Sequence, residues 1–286
     1  PNPLAQALLA GRTYTVGMIT TDSFGRFSIP VMLGAEDALG AGQISVFMCD
    51  TRDDPERERR YVEMLTARRV DGLIVTGRRI EPRPPVGPRM GIPVVYAMTQ
   101  AADSDEPAVL PDDVGGGDIA GQHLLETGRR HIAHITGPER FLAARRRAAG
   151  LTGALAAAEL PVAGGGVLYG EWSERWGREA TGRLLERCPD TDAIFCGSDQ
   201  IARGAGDALR AAGRRVPDDI ALVGFDNWDP MVRGSDPPLS SVDMCLEDVG
   251  RAAAEDLLAT IGGQPAHGVR TVPCRLMARE SSAPAG

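Results

Sequence analysis

Ile220-Ala221-Leu222-Val223 runs directly into Gly224-Phe225-Asp226-Asn227-Trp228-Asp229, and a short loop later the chain continues as Pro237-Pro238-Leu239-Ser240-Ser241-Val242. Four consecutive apolar residues with no polar alternation read as a strand buried on both faces. A parallel sheet covered by helices on each side requires such strands. In these sheets, ligands bind just beyond the carboxyl ends of the strands. Asp226 and Asn227 stand at that position. Asp226 either caps a turn or presents its oxygens to a ligand.

Outward from this strand, the same punctuation recurs in both directions. Apolar runs at Tyr14–Ile19, Ile44–Cys49, Val70–Val75, Ile92–Tyr96, Val109-Leu110, Arg130–Thr136, Val167–Tyr169 and Ala193–Cys196 read as strands. Between them, Ile29–Leu39, Pro55–Arg68, Val114–Thr127, Leu142–Glu159, Arg175–Arg187 and Gln200–Ala212 read as helices, and Leu246–Ile261 follows as another. Alternating strands and helices specify an α/β fold with parallel sheets. A chain of 286 residues is long for one core, so two Rossmann-like lobes are expected. Arg78–Gly91 is rich in proline and arginine and reads as a surface loop.

Composition excludes several classes of function. With 43% hydrophobic and 24% charged residues, this is an ordinary globular composition. There is no lysine, so all 31 basic residues are arginine, and neither a Walker lysine nor a Schiff-base lysine is available. The net charge of −8 argues against strong DNA binding by these residues, because such binding rests on neutralising phosphates. Cys49, Cys188, Cys196, Cys245 and Cys274 are odd in number and form no C-x-x-C. They fit a reducing cytoplasm better than a disulfide framework or a zinc site. Neither a membrane span nor a signal peptide is legible. His131 and His134 lie three apart on a strand and so face opposite sides. No catalytic set, metal site or cofactor motif emerges, so an enzyme is not expected. Gly115-Gly116-Gly117 lacks the spacing and flanking acid of a dinucleotide fingerprint.

Taken together, VGFDN at 223–227, PPLSSV at 237–242, CGSDQIARGAGDALRAAGRRVPDDIALVGFDN at 196–227 and DTRDDPERERRYVEMLTARRVDGLIV at 50–75 resemble the effector-binding core of LacI/GalR-family transcriptional regulators. The motifs fall in the family's order along essentially the whole chain. The resemblance implies a periplasmic-binding-protein-like fold of type I, two lobes joined by several crossovers. Its expected division is 13–129 with 243–270, and 130–242 with 271–286. Residues 1–12 resemble the family's hinge helix. Ala5 and Leu8 match residues that meet the DNA minor groove, where apolar side chains act as wedges. A helix-turn-helix head would be expected ahead of this segment.

The implied function is a ligand-responsive regulator, a repressor of a sugar-utilisation operon, in which this chain binds the effector and forms a homodimer. A periplasmic sugar-binding protein of a transporter is the alternative with the same fold. The expected ligand residues are Ser23, Phe24 and Phe27 in the first loop, then Arg145, Trp172, Ser198, Asp199, Asp226 and Trp228. Arg145 matches the ligand-contacting arginine after Gly137-Pro138, but the sequence leaves open which of Arg145, Arg146 and Arg147 turns inward. Trp172 either flanks a sugar or packs the lobe, and Ser198 stands where many relatives carry asparagine. Arginine and aspartate give charge-assisted hydrogen bonds to hydroxyls, and aromatic faces pack on sugar rings, so a sugar or sugar derivative is the expected effector.

Overall fold

The structure, a computed structural model, describes residues 13–40, 44–86 and 91–282. Ala5 and Leu8, the expected hinge positions, lie outside the described residues. In chain order the elements are β1 (Thr15–Thr20), α1 (Ser28–Leu39), β2 (Ser45–Asp50), α2 (Pro55–Ala67), β3 (Gly72–Thr76), β4 (Pro82–Arg83), β5 (Val94–Ala97), β6 (Gln100–Ala101) and β7 (Ala108–Pro111). They continue with α3 (Asp113–Glu126), β8 (Ile132–Thr136), α4 (Leu142–Ala157), β9 (Leu168–Tyr169), α5 (Glu174–Arg187), β10 (Ala193–Cys196) and α6 (Asp199–Ala211). Then come β11 (Ala221–Phe225), α7 (Asp229–Val232), β12 (Ser240–Asp243), α8 (Leu246–Ile261), β13 (Val269–Val272) and β14 (Arg275–Met277).

The chain divides into two units, and passes between them three times. The first holds the described residues up to Pro111 together with Cys245–Val272, and the second holds Asp112–Met244 together with those from Pro273 on. The first boundary therefore falls before α3 rather than after residue 129. The reason is packing, since α3 lies against α4 of the second unit.

In the first unit the sheet order is β13-β7-β5-β3-β1-β2, with every pair parallel. Leu73, Val75 and Tyr96 enter its core beside Val62 and Leu65 of α2. The Asp54 carboxylate caps α2 by accepting from the Glu56 and Arg57 amides, and Pro55 supplies the preset φ of a first helical turn. The expected loop at 78–91 contains β4, which pairs with β6 in a two-stranded ribbon.

The second unit has the order β14-β12-β11-β10-β8-β9, parallel except for β14, which runs antiparallel to β12. Ala133, Ile135, Ile194, Cys196 and Leu222 face α5 and α6 on one side. The alternate residues His134, Phe195 and Phe225 point to the other side, as the two-residue period of a strand requires. In each unit the chain reverses its direction of winding at one crevice, between β1 and β3 and between β8 and β10. Such switch points are where open α/β sheets bind ligands.

Paired glycines bring three helix pairs together. A Cβ on Gly117 would lie 2.2 Å from the Arg147 carbonyl oxygen, and one on Gly150 would lie 2.0 Å from that of Val114. Gly34 and Gly250 do the same for α1 and α8, and Gly177 and Gly204 for α5 and α6. Of the triplet Gly115-Gly116-Gly117, Gly117 meets α4 and Gly116 packs against Phe225 and Cys274. Gly150→Ala forces two backbones apart and is expected to cost about 1–3 kcal/mol. Gly153→Ala, one turn further along α4 with nothing within 4 Å of its Cβ, is expected to stabilise by about 0.5–1 kcal/mol through helix propensity. Urea unfolding of the two variants checks both signs.

Candidate functional site: a buried arginine at the carboxyl end of β11

Immediately after β11, Asp226 and Asn227 take φ values of 104° and 50°. Two consecutive non-glycine residues at positive φ are strained, and such strain persists only where the surroundings over-determine it. Here they do. The Asp226 amide donates to the Val242 carbonyl, and the Asn227 amide to Ser241 Oγ at 3.0 Å. The Asn227 side chain donates to Asp243 and accepts from Arg279. The Trp228 amide donates to Asp199 at 2.7 Å. The turn holds Asp226 toward Arg147, whose Nη1 lies 3.4 Å from Asp226 Oδ1.

Arg147 is the hub of this arrangement and is 6% exposed. Its Nε donates to Asp113 at 2.7 Å, its Nη1 to the Gly197 carbonyl at 2.7 Å, and its Nη2 to the Met244 sulfur. The guanidinium lies 3.6 Å from the Phe225 ring centroid and 5.8 Å from that of Trp172. Burial by itself disfavours the charged guanidinium, but Asp113 and Asp226 outweigh it and raise its pKa. Burial pushes the Asp113 carboxyl up, against the pull of Arg147. Asp113 Oδ2 has no hydrogen-bond partner among the described residues.

Beneath the arginine lies an aromatic layer. Phe225 is tilted against Phe195, and the His134 ring stacks on Phe195 at 4.7 Å and 9°. His134 is fully buried, and its Nδ1 pairs with the Phe195 carbonyl oxygen at 2.9 Å. Burial, opposed by that carbonyl and reinforced by Arg147, pushes its pKa down to about 4. His131 precedes β8 and is exposed beside Asp190, whereas His134 lies within the strand and is buried.

The expected site residues separate into groups. Of the three successive arginines, Arg147 turns inward, whereas Arg145 is exposed with its Nη1 on the Glu139 carbonyl. Trp172 packs on Gly137, where a Cβ would sit 2.1 Å from the indole. Ser198 is 3% exposed and caps α6 by accepting from the Ile201 amide. Asp199 is fully buried, and accepts from Ser241 Oγ and the Trp228 amide, so it braces the turn from behind. Trp228 is half-buried.

In the first unit Phe24 is 91% exposed, Ser23 is exposed and Phe27 is half-buried beneath the Arg26 guanidinium. Their loop is pinned by Asp22, which accepts from the Phe27 and Ser28 amides. Sequence reasoning missed a pocket of about 370 Å³ nearby in the chain's fold, lined by Thr21, Thr51, Thr76 and Thr99 among others. Its signal was present, since a threonine stands at the end of β3 and within two residues after the ends of β1, β2 and β5. Arg147 was legible too. It falls on the apolar stripe Ala144, Leu151, Leu155 of α4, whereas Arg145 and Arg146 lie off it.

The family described as periplasmic binding proteins and sugar binding domain of LacI family matches residues 13–280. The transcriptional regulator CelR of Thermobifida fusca is 35% identical over 290 residues, covering 98% of this chain and 85% of that protein. The ribose operon repressor of Escherichia coli K12 is 31% identical, covering 91% of this chain and 79% of its own. The solved complex of CelR with cellobiose superposes with a TM-score of 0.77 at 31% identity, over 97% of this chain and 89% of that one. With its two largely parallel sheets and an arginine–aspartate pair at a strand end, the chain belongs to the family of periplasmic binding proteins and LacI-family sugar-binding domains.

Proposed function

We propose that the chain is the effector-binding and dimerisation part of a cytoplasmic, ligand-responsive transcriptional repressor of a carbohydrate-utilisation operon, with no catalytic activity of its own. The observation that carries this reading is the Arg147–Asp226 pair, held at the carboxyl end of β11 by a strained turn. A guanidinium and a carboxylate held 3.4 Å apart suit vicinal hydroxyls, which donate to the carboxylate and accept from the guanidinium. Relatives above 30% identity are regulators, and two carry carbohydrate names, CelR with cellobiose and the ribose operon repressor. The five free cysteines favour this reading over a periplasmic transporter protein. No helix among the described residues is long and apolar enough to cross a membrane.

The test is a thermal-shift panel of cellobiose, ribose, glucose and nucleosides. A true effector at about 100 times its Kd stabilises by about 2.7 kcal/mol, a shift of several degrees. Asp226→Ala is expected to abolish the response. A response unchanged in Asp226→Ala rules out this site.

The dimer face we assign is α1 with the edge strand β2. Ile29 and Leu33 stand one turn apart on α1, 43% and 44% exposed, and Phe47 and Met48 of β2 are 46% and 43% exposed. An edge strand with apolar residues on both faces is a liability unless a partner covers it. A second copy is the expected occupant, because operator half-sites require a two-fold protein. Light scattering at tens of micromolar is expected to give a dimer mass for the wild type and a monomer mass for Leu33→Asp/Phe47→Asp. A wild-type monomer mass would contradict the assignment.

A further inference from the structure

The turn at Asp226-Asn227 is held in part by a residue far along the chain. After β14 the chain passes through Arg279, which is half-buried. Its Nη2 donates to Asn227 Oδ1 at 2.8 Å, and its Nη1 donates to the Leu239 carbonyl at 2.8 Å. The other end of the Asn227 side chain donates to Asp243 at 3.0 Å. Both ends of that side chain are thus fixed, which leaves residue 227 little freedom to rotate. Asn227 stands at φ 50° directly after Asp226 at φ 104°, so the strained pair is kept from relaxing as a unit. If the turn relaxed, the Asp226 carboxylate would swing off Arg147.

The segment that carries Arg279 has its own attachments. The Arg279 amide donates to Ser240 Oγ at 2.7 Å, and that hydroxyl donates to the Arg279 carbonyl at 2.9 Å. The Ser281 amide donates to the Pro238 carbonyl, and the Leu222 amide to the Ser281 carbonyl. None of these bonds uses the guanidinium. Its removal therefore loosens the turn and leaves the segment on the sheet. Two nitrogens of one planar group serve two acceptors at once, a geometry that a lysine could not reproduce.

We infer that Arg279 is a positioning residue for the site at β11: by fixing Asn227 it aims the Asp226 carboxylate at Arg147, and so sets the affinity of the site for its ligand. The inference rests on reading this site as the effector site. Arg279 acts through Asn227, because its guanidinium bonds to Asn227 Oδ1 and to backbone carbonyls.

The experiment combines amide hydrogen exchange, read residue by residue by NMR, with isothermal titration of cellobiose, glucose and ribose. It uses the wild type, Arg279→Met, Asn227→Gly, the double variant and Asp226→Ala. Glycine at 227 keeps the positive φ accessible while removing the side chain. Arg279→Met is expected to speed exchange of the Asp226, Asn227 and Trp228 amides by about tenfold and to weaken sugar binding by about tenfold, one charge-assisted hydrogen bond's worth. Exchange in β8 and β10 is expected to stay as in the wild type. In the Asn227→Gly background, Arg279→Met is expected to change binding by less than about twofold, since the partner through which it acts is gone. Unchanged exchange at 226–228 overturns the positioning role, and so does acceleration spread over β8 and β10, which would mark a structural one. Full additivity of the two substitutions overturns the route through Asn227. Sugar binding that survives Arg279→Met but is lost in Asp226→Ala overturns the link to affinity. Binding of none of the three sugars, or binding unchanged in Asp226→Ala, removes the effector reading and the affinity claim with it, and the exchange rates then decide whether Arg279 holds the turn.

Discussion

Replacing Arg147 by methionine is expected to lower the folding free energy by about 3–5 kcal/mol, the usual cost of removing one partner of a buried ion pair. Methionine keeps the length of the stem, so the loss is electrostatic more than steric. Asp113, fully buried with one oxygen already without a partner among the described residues, would lose its cationic partner at hydrogen-bond distance. Asp226 and the Gly197 carbonyl would lose a donor as well. Part of the loss is expected to return in the double variant Asp113→Asn/Arg147→Met, which removes the stranded charge. Arg145→Ala, at an exposed position two residues away, is expected to change stability by no more than about 0.5 kcal/mol. Urea unfolding midpoints of the four proteins check the ranking. A cost below about 1 kcal/mol for Arg147→Met would show that the guanidinium is not the hub.

The second large effect is the loss of stability in mild acid. His134 is held neutral in the fold, with a pKa of about 4, against about 6.5 in an unfolded chain. As pH falls below 6.5 the unfolded chain takes up a proton that the folded one refuses, so the equilibrium moves toward unfolding. The stabilisation is complete above pH 6.5, declines between pH 6.5 and 4, and totals about 3 kcal/mol. His123, whose pKa burial also lowers, acts in the same direction. Unfolding midpoints at pH 7, 5.5 and 4.5 are expected to fall steeply for the wild type and less for His134→Gln. Parallel curves would mean that other groups carry the acid sensitivity.

The fold was legible because its signal is local. Runs such as Leu222-Val223 and Leu73-Ile74-Val75 are apolar on both faces, and helices of 12–16 residues separate many of them. The unit boundary at Asp112 was not legible. It depends on glycines of α3 and α4 meeting at backbone contact, a pairing between residues 33 positions apart. The β4–β6 ribbon was hidden for a similar reason, since Pro82-Arg83 has no strand propensity and pairs only because Gln100-Ala101 lies beside it.

The site divides in the same way. Position after a strand picked out Asp226, because the end of a buried strand is a place on the chain as much as in space. The sequence by itself therefore determined the α/β alternation, the strand that ends at the candidate site, the absence of a lysine-based chemistry and the net negative charge. Only the tertiary structure decided which arginine is the hub. Arg145 and Arg147 are chemically identical, and a rotation of about 200° around α4 sends one into solvent and the other onto Phe225. Only the tertiary structure could show that Asp199 is a brace, because both of its oxygens are taken by Ser241 and Trp228, partners 42 and 29 positions along the chain. A side chain's residue type sets what it can bond, whereas burial and distant neighbours set what it does bond.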